Sequence, residues 1–66
     1  MKDNILKMHN SLSKERQEEM IKILSDNFPL VTENSIKINW FYNENIPRYA
    51  QYEAVKLYQN FIKNAK

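Results

Sequence analysis

No glycine occurs anywhere in this 66-residue sequence, and that absence constrains the fold more than any residue that is present. Average usage of about 7% would place four or five. Glycine takes up positive φ without a Cβ clash, so tight turns, left-handed helix caps and phosphate-cradling loops ordinarily rely on it. A chain without it is expected to have long elements, few sharp reversals and no backbone-built anion site. Glycine-rich nucleotide motifs are excluded outright.

Cysteine is absent as well, and His9 is the only histidine. Disulfides, thiolate zinc sites and histidine-pair metal sites are therefore out. Residues 1–66 read as one small domain. A core this thin usually needs supplementary burial, because a chain of about 60 residues hides only about 60% of its unfolded surface. A partner surface is the remaining supplement, and a homodimer is its simplest form. Hydrophobic content of 42% and charged content of 27% are those of an ordinary globular chain. No apolar run approaches the roughly 20 residues of a membrane span. The opening Met1 to Lys7 has no signal-peptide apolar stretch, so a cytoplasmic location is expected. An excess of Lys, Asn and Ile is of the kind found in AT-rich phage and mobile-element genes.

Ile5, Met8 and Leu12 form one helical stripe between Asp3 and Leu12, with Asp3 as a possible cap. Ser11 and Ser13 interrupt it, and Ser13 is a credible cap for a second helix over Lys14 to Asp26. There Met20, Ile21, Ile23 and Leu24 oppose Glu15, Glu18, Glu19, Lys22 and Asp26. Pro29 ends it by disfavouring helix at Phe28. Ile36, Ile38, Trp40 and Tyr42 then alternate with Lys37, Asn39, Phe41 and Asn43, the period-two mark of a half-buried strand. Leu30 to Thr32 would be its hairpin partner across Glu33-Asn34-Ser35, with Asn34 standing in for glycine. From Pro47 to about Asn64 a final helix carries Ala50, Ala54, Leu57, Phe61 and Ala65 as its stripe, flanked by Val55, Tyr58 and Ile62. The expected fold is α+β: two N-terminal helices, a short β-hairpin or single strand, and a long C-terminal helix. An all-α three-helix domain is the alternative.

Chemistry-bearing motifs are weak. Ser11-Leu12-Ser13-Lys14 and Ser25-Asp26-Asn27 match two penicillin-binding signatures. The third, K-T-G, is missing, and both matches read better as helix-boundary serines. Glu15, Glu18 and Glu19, with Asp26, suggest a hard-cation site, but Lys22 sits among them and a solvated face fits better. His9 has no nucleophile or carboxylate identifiable beside it, and is expected at the surface or a boundary. No catalytic residue, cofactor or metal ligand is assigned.

Aromatic residues are unevenly spread: seven of eight lie between residues 40 and 61. Core packing accounts for Trp40, Tyr42 and Phe61. It does not account for Phe41, on the polar side of the predicted strand, nor for Tyr49 and Tyr52, opposite the apolar stripe of the last helix. Phe41, Tyr49 and Tyr52, with Arg48 and Lys56, are therefore the expected partner-binding surface.

The function expected is a small protein-binding regulator or inhibitor, of phage or mobile-element type, that is not an enzyme. Its partner is a host protein or a second copy, not a membrane. The alternative is a small nucleic-acid-binding protein, a transcriptional regulator or single-strand binder. A pI near 9 and Lys56, Lys63 and Lys66 favour it. A net charge of only +2 and a supply of only two arginines, Arg16 and Arg48, count against it. A purely structural oligomer is a third class.

Overall fold

A computed structural model describes residues 1–64. They form four α-helices and one π-helix: α1 (Lys2–Asn10), α2 (Lys14–Asn27), α3 (Glu33–Ser35), a π-helix (Ile36–Tyr42) running on from α3, and α4 (Arg48–Asn64). No strand is present among the described residues, so the α+β expectation is corrected to an all-helical fold. The three-helix alternative also misses the element between Thr32 and Asn43. Among the described residues no helix is long and apolar enough to cross a membrane. Ala65 and Lys66, read above as the end of the last stripe and a terminal cation, lie outside them.

The first two helices separate where the serines stand. Ser11 turns its hydroxyl back to the Met8 carbonyl at 2.7 Å, and Ser13 accepts from the Arg16 backbone N–H at 3.3 Å as the N-cap of α2. Gln17 then reaches from α2 to the end of α1, donating to the carbonyls of His9 (2.9 Å) and Leu12 (3.3 Å). Orphan carbonyls at a helix end need such partners. Asp3 is not a cap; it lies in the first turn of α1, whose N-cap is Met1.

At its far end α2 stops as expected. Phe28 leaves the helical region (φ −125°, ψ 75°), while its N–H still closes on Leu24. The Ser25 hydroxyl donates to the Val31 carbonyl at 3.3 Å, which folds the Pro29–Val31 turn back onto the helix.

The segment read as a hairpin is helical for a local and a tertiary reason. Thr32 accepts from the Ser35 N–H at 3.1 Å and caps a new helix, so Glu33-Asn34-Ser35 is its first turn and not a hairpin turn. Only alternate members of the apparent strand face are inside: Ile36 and Trp40 are buried, whereas Ile38 and Tyr42 are 47% and 85% exposed. Spacing of four with Phe41 at five suits a helix closing i to i+5, which sets Ile36, Trp40 and Phe41 on one side. A lone strand would have left its ladder groups unpaired.

The wide turn also sets how the segment ends. The Asn43 N–H reaches back to Ile38 (2.9 Å) and Asn45 to Asn39 (2.8 Å), a C-terminal closure one residue wider than that of an α-helix. Between them Glu44 sits at φ 54°, the one positive-φ residue among those described. Asn34, expected in that role, is helical.

Pro47 precedes α4, where a missing N–H costs nothing, and Gln51 caps back onto the Ile46 carbonyl at 2.9 Å. Ala50, Ala54 and Tyr58 form the buried line of α4. α4 packs on α1 and α2, and the π-helix packs on α2. The core joins these three residues to Ile5, Met20, Ile21, Leu24, Ile36, Trp40 and Ile46.

Two stability tests follow from this geometry. Glu44→Gly removes a left-handed Cβ penalty of roughly 1–2 kcal/mol, offset in part by glycine's unfolded-state entropy, so thermal unfolding should rise by a few degrees. Ile38→Lys should leave stability within about 0.5 kcal/mol, while Ile36→Ala should cost about 2–5 kcal/mol. Equal losses at the two positions would restore the strand.

Candidate functional site

Of the five residues expected at the partner surface, α4 brings four together. Arg48, Tyr52 and Lys56 stand at successive i, i+4 positions and are all exposed; Tyr49 lies beside them. Tyr49 and Tyr52 are 70% and 61% exposed. The Lys56 ammonium lies 4.6 Å from the Tyr52 ring centroid, a cation–π contact that holds both side chains on the outer face of the helix.

Phe41 does not join them. It is half-buried, and its ring stacks on the His9 imidazole with centroids 3.8 Å apart and planes 9° from parallel. A strand would put it on the polar face. The π-turn places it with Trp40 and Ile36 instead.

The same surface includes residues that the sequence reading assigned to a strand. Phe28 meets Tyr49 edge to face at 6.3 Å. Phe28, Pro29, Leu30, Val31 and Tyr49, with Asn27, line an apolar cleft of about 230 Å³. Leu30 on its lip is 99% exposed. The available signal was the apolar run Phe28-Pro29-Leu30-Val31 between Asn27 and Thr32. Broken by a proline, it is a poor strand and a natural apolar turn.

His9, expected at the surface or a boundary, is instead a buried polar residue, 6% exposed. It continues the Ile5 line by one helical turn, so α1 carries both into the core. Its Nδ1 lies 2.6 Å from the Tyr58 hydroxyl, and Tyr58 has no exposed surface. Phe41 also packs edge-on against Tyr58 at 6.4 Å. Burial lowers the His9 pKa from 6.5 to about 4 and pushes that of Tyr58 up from 10. Both rings are therefore neutral at pH 7.

Three glutamates of α2 face another cleft, lined by Glu15, Glu18, Glu19, Lys22, Glu33 and Lys37. Asp26 is not among them. Among the described residues no group of three or more His, Cys, Asp or Glu side chains is placed to hold a metal ion. Ser11, Ser13 and Ser25 are engaged in the backbone contacts described above.

The buried imidazole makes stability pH-dependent. Above pH 6.5 it is neutral in both states and native stability is full. As pH falls from 6.5 towards 4, the unfolded chain takes up a proton that the folded one refuses, so stability is lost across that window. Between about pH 7.5 and about pH 5 the His9 contribution should fall by about 2 kcal/mol, read as a lower urea midpoint. His9→Gln should remove that component of the pH dependence. A wild-type midpoint unchanged over the range would contradict a buried neutral imidazole.

No protein-family model, no curated protein and no solved structure matches this chain.

Proposed function

We propose that this chain is a small protein-binding regulator or inhibitor that acts by occupying a partner, not by catalysis. The contact surface is the cleft of Phe28, Leu30, Val31 and Tyr49, continued along α4 by Arg48, Tyr52 and Lys56. The observation that carries the reading is Leu30. A lone exposed aliphatic residue is ordinary, but this one sits on the lip of an apolar cleft that the largely exposed Tyr49 also lines. Tyrosines of this kind give rigid contact area at low entropic cost.

Charge selects the occupant. Glu53 is the one acidic residue of α4, against Arg48, Lys56 and Lys63. The partner is accordingly a different protein that offers an apolar side chain to the cleft and carboxylates to Arg48 and Lys56. A two-fold homodimer through this face would bring the same cations together from both copies. It is the competing occupant, together with the structural oligomer. The same reading places the protein's action in the cytoplasm, in line with its cysteine-free sequence.

Leu30→Asp combined with Tyr49→Ala tests this surface without touching a buried residue. Cross-linking in cells of the source organism should give the wild type a discrete partner protein, captured at least tenfold less by the double variant at unchanged melting temperature. Equal capture by both, or no partner for the wild type, would sink the proposal. A homodimer by light scattering that Leu30→Asp dissociates would replace the different protein with a second copy.

The row of Arg48, Lys56 and Lys63 beside Tyr52 also favours a second reading, nucleic-acid binding through phosphate neutralisation and stacking. Its test is an electrophoretic shift titrated with salt. Binding at low salt that weakens with salt and is lost in Lys56→Gln supports it, and no shift at low salt removes it.

A further inference from the structure

One nitrogen of His9 is accounted for and the other is not. The Tyr58 hydroxyl is wholly buried, and His9 Nδ1 is its one partner among the described residues. If Nδ1 carried the ring proton, the phenol proton would be left buried and unbonded. The satisfied arrangement has Tyr58 donating to Nδ1, which places the imidazole proton on Nε2.

His9 is only 6% exposed. No sealed side-chain nitrogen or oxygen among the described residues lacks a partner. Among the described residues Nε2 has no protein partner and is not sealed, which leaves it the cleft that His9 lines with Lys14, Gln17, Glu18, Lys37 and two apolar residues, Ile21 and Phe41. Gln17 has already committed its amide nitrogen to the carbonyls of His9 and Leu12. What the cleft presents is one fixed N–H donor aimed outward from an almost buried ring, two ammonium groups and one carboxylate.

We infer that this cleft binds a small oxyanion, a carboxylate or a phosphate. One ligand oxygen accepts from His9 Nε2–H, and Lys14 and Lys37 neutralise the charge. Within the cleft two lysines stand against Glu18. Lys37 and Glu18 also line the neighbouring cleft of Glu15, Glu19, Lys22 and Glu33, whose carboxylates weaken the site. The fixed N–H donor and Lys14 therefore carry most of the attraction. A cleft of about 250 Å³ is smaller than the roughly 300–1,000 Å³ typical of drug-sized ligands. The ligand is therefore a few heavy atoms, with any short apolar part against Ile21 and Phe41. The site is separate from the Leu30 cleft and does not depend on the protein-binding reading.

Nitrogen-15 NMR of the His9 ring, titrated separately with inorganic phosphate and with butyrate, tests the site. A saturable shift of Nε2 and its proton is expected with at least one probe; phosphate alone marks a phosphoryl site, butyrate alone a carboxylate site. Lys14 and Lys37 are exposed, so the Lys14→Gln, Lys37→Gln double variant should fold normally and bind roughly tenfold or more weakly. Glu18→Gln should tighten binding severalfold, and Lys56→Gln should leave it unchanged. No saturable shift with either probe up to about 10 mM, or a shift that persists undiminished in the double lysine variant, overturns the inference.

Discussion

The hydrogen bond between His9 and Tyr58 spans 49 positions of sequence and ties the first helix to the last. α1 has nine residues, fewer than the roughly 12–15 at which even good helix-forming peptides become marginally stable. Its helicity therefore depends on what it docks against. Ile5 and His9 supply that contact, one apolar and one polar, on a single turn-spaced line. Because the hydroxyl and Nδ1 satisfy each other, neither carries the cost of an unpaired buried group, about 1–3 kcal/mol. Phe41 covers the open face of the imidazole, so the π-helix is held at the same point. Three elements distant in sequence thus meet at one polar contact inside an apolar core.

The π-helix and the missing glycine meet at one residue, Glu44. Widening the turn aligns Ile36, Trp40 and Phe41 towards the interior, where an α-helical turn would have rotated Phe41 away. The wider turn then needs a residue at positive φ to close it, and in a glycine-free chain that position falls to Glu44. The strain is local and modest, about 1–2 kcal/mol, set against the burial of a tryptophan and the stacking of a phenylalanine. Large aromatic burial outweighs it.

How much of this was legible in the sequence depends on which rule governed each segment. α2 and α4 were readable because their stripes are long and their ends are marked by Ser13, Pro29 and Pro47. Residues 29–42 were not, because Ile36, Ile38, Trp40 and Tyr42 satisfy a period of two and also, taken in alternate pairs, a spacing of four. Thr32 as a helix cap was the signal that decides between them. The surface on α4 was legible from Arg48, Tyr49, Tyr52 and Lys56, since residues opposite an apolar stripe have nowhere else to point. Leu30 was hidden by its assignment to a strand. The role of His9 was hidden because its partners, Phe41 and Tyr58, are 32 and 49 residues away, and no local pattern announces them.

The aromatic crowding between residues 40 and 61 resolves into two uses. Tyr49 touches Phe28, Phe28 touches Trp40 at 5.6 Å, Trp40 adjoins Phe41 at 6.5 Å, and Phe41 stacks on His9. This run of rings follows α2 from its C-terminal end to the joint with α1. Its middle is structural: Trp40 is in the core, and Phe28 and Phe41 pack against it. Two consecutive residues of the π-helix, Trp40 and Phe41, face the two ends of the run, one under the Leu30 cleft through Phe28, the other beside the His9 cleft. Tyr58 is in the core and Phe61 packs against it, and Tyr49, though it ends the run, is with Tyr42 and Tyr52 one of the three most exposed aromatics. Of these three, Tyr49 lines the apolar cleft, Tyr52 stands further along α4 with Lys56, and Tyr42 stands on the π-helix, so position and not aromatic content marks the contact surface.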